Sequence, residues 1–228
     1  LNKTYGKKDE KQENKKSIQR WITVISFFKQ PQVILVLFIV SAYRIVEGFI
    51  RSILPVMLKD WGLDFGQIGL VLGIIGPISV LLGAIVAGLL INRMGRIKSL
   101  LIFGGLQLIS VFGYVFLSIN TDLHSMTKMI PFIVIDHFIS GLTTVALFSV
   151  MMDWSRKSQP GNDYTFMDCV SVFAMMLGTG ISYGISAKWG YSINFIIALP
   201  LIIISLYIVW KTYNKIKKNN HWKDLVKS

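Results

Sequence analysis

Six apolar stretches, each at least twenty residues long, dominate the sequence: residues 31–58, 65–91, 99–119, 128–152, 164–187 and 191–210. A helix needs about 20 such residues to cross the hydrocarbon core of a bilayer, whereas a buried helix in a soluble domain rarely needs more than about 14. A helix also satisfies its own backbone polar groups inside lipid, where water cannot. The expected fold is therefore all-α: a polytopic membrane protein with six transmembrane helices. Charged residues make up 16% of the chain, against about 25% in a soluble domain. They crowd into the two ends and a few short loops.

The connectors are short, Lys-Asp-Trp-Gly-Leu-Asp at 59–64 and eight residues at 120–127 among them. Sequential spans are thus expected to be antiparallel neighbours. An even number of spans puts both ends on one side. That side collects nineteen Lys and Arg, from residues 1–30, the 93–98 and 156–157 loops and 211–228, and the other side holds only Lys59, Lys128 and Lys188. The positive-inside rule then makes both termini cytoplasmic. It also accounts for the net charge of +12 without a nucleic-acid partner.

Residues 1–17 are polar and lysine-rich, without the apolar core of a signal peptide. The sequence opens on Leu1, as a fragment or an unusual start codon would allow. Ile18, Trp21, Ile22, Ile25 and Phe28 follow helical spacing and predict an interfacial helix leading into the first span. The domain plan is a basic segment at 1–30, a six-helix half-domain at 31–210 and a basic tail at 211–228. Gly69/Gly73, Ala84/Gly88 and Gly180/Gly184 are expected to pack helices closely. Pro77 and Pro200 are expected to bend their spans. Cys169, the one cysteine, is expected to be packed and unreactive. Neither a metal nor a cofactor is expected.

The residues that cost most to bury carry the functional information. Arg44, Glu47 and Arg51 fall at intervals of three and four, so they share one face of the first span. The fourth span adds Asp136 and His137. A charge near the bilayer centre costs about 2.5–3.5 kcal/mol on insertion scales, so these five predict a polar interior with buried partners. Counting depth from the shared outer side puts Arg51 and Asp136 level, which predicts an ion pair. A carboxylate here, Glu47 first and Asp136 second, is expected to carry protons, and the arginines to hold an anionic solute. The competing reading is a static cluster that orients helices. For His137 a packing hydrogen bond is the better expectation.

The loop after the second span, Gly88-Leu-Leu-Ile-Asn92-Arg93-Met-Gly95-Arg96-Ile-Lys98, resembles the Gly-x-Leu-x-Asp-Arg-x-Gly-Arg signature of the major facilitator superfamily. It departs at Asn92, where the family has Asp. In that family the signature follows the second helix of each six-helix half. The resemblance therefore implies one half of a major facilitator fold, helices seven to twelve, with the missing N-terminal six-helix half as partner. It also implies that the first and fourth spans line a central cavity, and that the signature loop is a cytoplasmic gate. The run from Arg44 to Phe116 resembles the muropeptide permease and acetyl-CoA carrier branch. Asp163-Tyr164-Thr165 is similar to an element in permeases for rhizobactin- and pyochelin-type siderophores, although Phe166-Met167 replaces the Leu-Gln pair that tends to follow. As a local structural role, Asp163 is expected to cap the fifth span.

The function these resemblances imply is proton-coupled import of a ferric siderophore, with a muropeptide or other amphiphilic solute as the alternative. A reading from another class is a non-transporting six-helix subunit or an inactive fragment. An enzyme is not expected: the chain has no Gly-x-Ser-x-Gly, no His-Glu-x-x-His and no phosphate loop, and His124 and His221 lie outside the spans.

Overall fold

A computed structural model describes residues 26–30 and 33–218. Most of the expected interfacial helix lies outside the described residues. Of its members only Phe28 is described, half exposed beside the buried Phe27. The described residues are almost wholly helical. The first span is α1 (Val33–Arg51) followed by α2 (Leu54–Asp60). The second is α3 (Phe65–Leu70), a π-helical turn at Val71–Ile75 and α4 (Gly76–Met94). The third is α5 (Arg96–Ile119), the fourth α6 (Met126–Asp153), and α7 (Pro160–Lys218) completes the chain.

At 59 residues, α7 is about three times the length a single crossing requires. It is two spans joined at a corner, because Gly190 adopts φ 82° and ψ 171°. That positive φ is the reason a glycine stands there. Ser182 and Asn194 exchange hydrogen bonds of 3.3 and 3.1 Å across the corner and hold its arms together. The first span is broken where a single helix was expected. Pro55 sits in the first turn of α2, where its missing N–H costs least, so the chain breaks ahead of it at residues 52–53. Pro77 is accommodated differently. The Gly76 N–H returns to Val71 five residues back, widening the turn that precedes the proline ring.

The glycines that matter for packing are not the expected pairs. A methyl built on Gly69, Gly73, Gly88, Gly180 or Gly184 meets nothing within 4 Å. Backbones touch instead at Gly83 against Phe138, Gly141 against Val80, Gly48 against Met175 and Gly178 against Ile45. The first contacts lock the second span to the fourth, and the others lock the first span to the fifth. Cys169, expected to be packed, is exposed on α7.

Two apolar cores result. One gathers Val36, Val40, Leu100, Phe103, Leu147 and Met151 toward the lysine-rich end. The other gathers Phe49, Leu54, Val111, Tyr114, Ile133 and Phe195 toward the opposite end. Arg44 and Asp136 lie where one core gives way to the other, and Arg51 stands beside Ile50 and Ile53 of the second.

Candidate functional site

Each packed span changes character between the two cores. On α1, Tyr43 belongs to one core and Val46 to the other, with Arg44 and Glu47 interleaved. On α6, Ile133 and Leu142 bracket Asp136, His137 and Ser140. Gln107 and Ser110 on α5 and Ser205 on α7 occupy the same interval. The result is a polar belt at mid depth, sandwiched by hydrocarbon on both sides. Such a belt survives only if its members satisfy one another.

They do so in two pairs. Arg44 Nη1 donates to Glu47 Oε2 at 2.7 Å, one turn along the same helix, and both residues are over nine-tenths buried. The Arg44 guanidinium also stands 5.3 Å above the Phe148 ring. Tyr164 meets that ring edge-on at 6.1 Å. Arg44 Nε is buried with no acceptor among the described residues. The second pair joins two spans, as the depth argument expects. Arg51 Nη2 donates to Asp136 Oδ2 at 3.3 Å and to the Asp136 carbonyl at 3.0 Å. Asp136 is 2% exposed. His137 Nδ1 lies 2.9 Å from the Ile133 carbonyl and 3.7 Å from Asp136 Oδ2.

The signature loop sits at the lysine-rich end. Gly95 has φ 82° and ψ 148°, so the second span turns into the third in one residue. Gly88, Asn92, Arg93 and Arg96 are exposed. Asn92 takes no part in the loop's ion pair. Arg96 Nη1 instead binds the Asp153 carboxylate and, at 2.9 Å, the Ser149 carbonyl, tying the start of α5 to the end of α6. Beside this contact Arg96, Val150, Asp153, Trp154 and Tyr213 line an open hollow of about 160 Å³. The partnership of Asp153 was missed in the sequence.

Asp163 requires a correction. It was expected to cap the fifth span, yet the helix already begins at Pro160 and the Asp163 N–H bonds to the Gln159 carbonyl. The carboxylate instead receives the Arg156 fork, Nη2 to Oδ1 at 2.7 Å and Nε to Oδ2 at 2.8 Å. The Arg156 backbone N–H and Gln30 Nε2 add donors at 3.0 and 3.3 Å. These bonds hold the Arg156 guanidinium protonated, raising it above its ordinary range. Arg156 also donates to Ser26, and Phe27 packs 5.3 Å from Phe166. The residues before the first span are thereby fastened to the loop before the fifth. Thr165 Oγ1 merely returns to the Gly161 carbonyl at 2.7 Å.

A profile of the Major Facilitator Superfamily matches residues 6–228, nearly the whole chain. The chain belongs to that superfamily. Its helices, long and apolar enough to cross a membrane, are those of one major facilitator half. The anhydromuropeptide permease of Escherichia coli K12 is 29% identical over 147 residues, covering 64% of this chain and 29% of that protein. A Rickettsia conorii protein named as transporter AmpG 4 is 22% identical over 201 residues, covering 84% of this chain and 48% of its own length. The chain thus spans less than half the length of the curated relatives it matches. Its resemblance to the muropeptide permease branch stands on these relatives.

Proposed function

We propose that the chain is the C-terminal half of a proton-coupled permease for a muropeptide-like amphiphilic solute in a bacterial inner membrane. The observation that carries this reading is the buried charge belt, in a chain whose relatives are named for anhydromuropeptide and AmpG-type transport. A muropeptide joins a sugar to a peptide bearing carboxylates. Such a solute suits a belt in which Arg44 keeps a buried donor uncommitted next to an aromatic face. Asp136 takes the proton-carrying role ahead of Glu47. Arg44 grips Glu47 at 2.7 Å, whereas Arg51 holds Asp136 at 3.3 Å and divides itself with a backbone carbonyl.

The Arg96–Asp153 contact serves as the cytoplasmic gate, and both ends of the chain face the cytoplasm. The other six-helix half lies against the second and fifth spans. The second span's most apolar stretch is 28% buried, against 61% for the first span, and Gly69, Gly73 and Gly88 on the second and Gly180 and Gly184 on the fifth face open space. Siderophore import has less support, because the element that suggested it has a local explanation: Asp163 holds Arg156, and Tyr164 packs on Phe148.

Uptake of radiolabelled anhydromuropeptide by cells with and without the gene tests the reading, with ferric siderophore in parallel. Loss of muropeptide uptake alone supports it. Loss of iron uptake alone returns the assignment to a siderophore permease.

A further inference from the structure

The second span carries a weakness at the level of the charge belt. Pro77 offers no N–H to the turn before it, and the chain answers with a π-helical turn at Val71–Ile75. Such turns have longer, poorer hydrogen bonds than an α-helix and mark places where helices bend. Ser79 Oγ donates back to the Ile75 carbonyl at 2.8 Å, a side-chain bond of the kind that bends helices. The six residues of α3 beyond this turn, Phe65–Leu70, include no buried residue. Little tertiary packing resists their movement.

His137 touches this point directly. A methyl built on Gly76 would lie 2.6 Å from the imidazole Cδ2 and 2.8 Å from Nε2. The ring therefore rests on bare backbone at the junction of the π turn and α4. Its other nitrogen, Nδ1, faces the Ile133 carbonyl and, at 3.7 Å, Asp136 Oδ2. A carbonyl only accepts, so Nδ1 carries the proton and Nε2 is the nitrogen turned toward the second span. The charged groups facing the imidazole are Asp136 on its own helix and Arg51 on α1, with Tyr114 on α5 neighbouring Asp136. The α4 side of the contact is glycine.

We infer that His137 is a positioning residue linking the Asp136–Arg51 pair to a hinge at Gly76–Pro77 in the second span. This rests on the proposed role of Asp136 as proton carrier. When Asp136 takes a proton, Arg51 loosens its hold and the imidazole loses its anionic neighbour. Its ring shifts on Gly76, and the six outer residues of the second span swing about the π turn. Gly76 is bare because the ring needs that surface.

Two measurements separate this inference from the function it rests on. In cells, Gly76→Ala is expected to lower the maximal uptake rate of anhydromuropeptide at least about tenfold with KM within about twofold, as for a hinge mutant. Gly105→Ala on the third span, which meets no neighbour, stays within about twofold of wild type. In the purified full-length protein, with Cys169→Ser as background, spin labels at Phe65 and Ile119 report the outer ends of the second and third spans. Their separation is expected to shift when the pH is lowered from about 8 to about 5.5. The shift is expected to vanish in His137→Gln, Asp136→Asn and Gly76→Ala. A pH-dependent separation that persists in His137→Gln, or that is absent from wild type, overturns the inference. Absent uptake with an intact, His137-dependent shift overturns the assigned solute and leaves the hinge standing.

Discussion

Arg51 Nη2 reaches the Asp136 carboxylate at 3.3 Å and the Asp136 carbonyl at 3.0 Å, joining the first and fourth spans through residues 85 positions apart. The Asp136 side chain is 3% exposed. Breaking such a pair from one side leaves a charge in hydrocarbon with no partner and costs about 3–5 kcal/mol. Arg51→Ala should therefore lower the thermal unfolding midpoint in detergent strongly. The exchange Arg51→Asp with Asp136→Arg should recover much of the loss. A double variant no better than the singles would mean that the two residues do not act as a pair.

Close backbone approach gives a second expectation. Gly83 and Gly141 face each other's helices so tightly that a methyl on either meets backbone, Phe138 and Val80 respectively. Gly141→Leu should prevent the second and fourth spans from docking and abolish the monodisperse peak in size-exclusion chromatography. Gly105→Ala, on an open face of the third span, should leave stability within about 0.5 kcal/mol of wild type.

The clamp at the lysine-rich end has a pH signature with a definite sign. Asp163 raises the Arg156 guanidinium above its ordinary range. A cation with a raised folded-state pKa contributes stability fully below its unfolded value and loses it only as pH rises through the folded value. Both values lie above any pH at which the protein is handled. The destabilisation caused by Arg156→Ala should therefore be the same at about pH 6 and pH 9 in thermal unfolding. A destabilisation that shrinks between those two values would contradict the clamp.

Much of this architecture was legible in the chain itself. Span number followed from length and hydropathy, and the Arg51–Asp136 pair followed from 1.5 Å of rise per residue counted from a shared side. Which glycines pack was not legible. Gly180 and Gly184 have the same spacing as any packing motif, but their face is decided by what surrounds the helix in space. Asp163 misled for a related reason. An acidic residue early in a helix reads as a cap, yet Arg156 lies within reach and forms a fork, a stronger bond than a cap provides. The π turn ahead of Pro77 has no sequence signal beyond the proline. The resemblance around Asp163 suggested a siderophore, whereas the matching relatives are named for anhydromuropeptide and AmpG-type transport, and here Asp163 and Tyr164 have local packing roles.

The account turns on whether the mid-depth belt couples solute movement to protons. The most direct measurement reconstitutes the full-length protein in liposomes and follows labelled anhydromuropeptide in two modes, accumulation driven by an imposed proton gradient and exchange without one. Asp136→Asn is expected to abolish gradient-driven accumulation while retaining exchange, because the solute path remains and the proton carrier is gone. Accumulation by Asp136→Asn at the wild-type level would contradict the account.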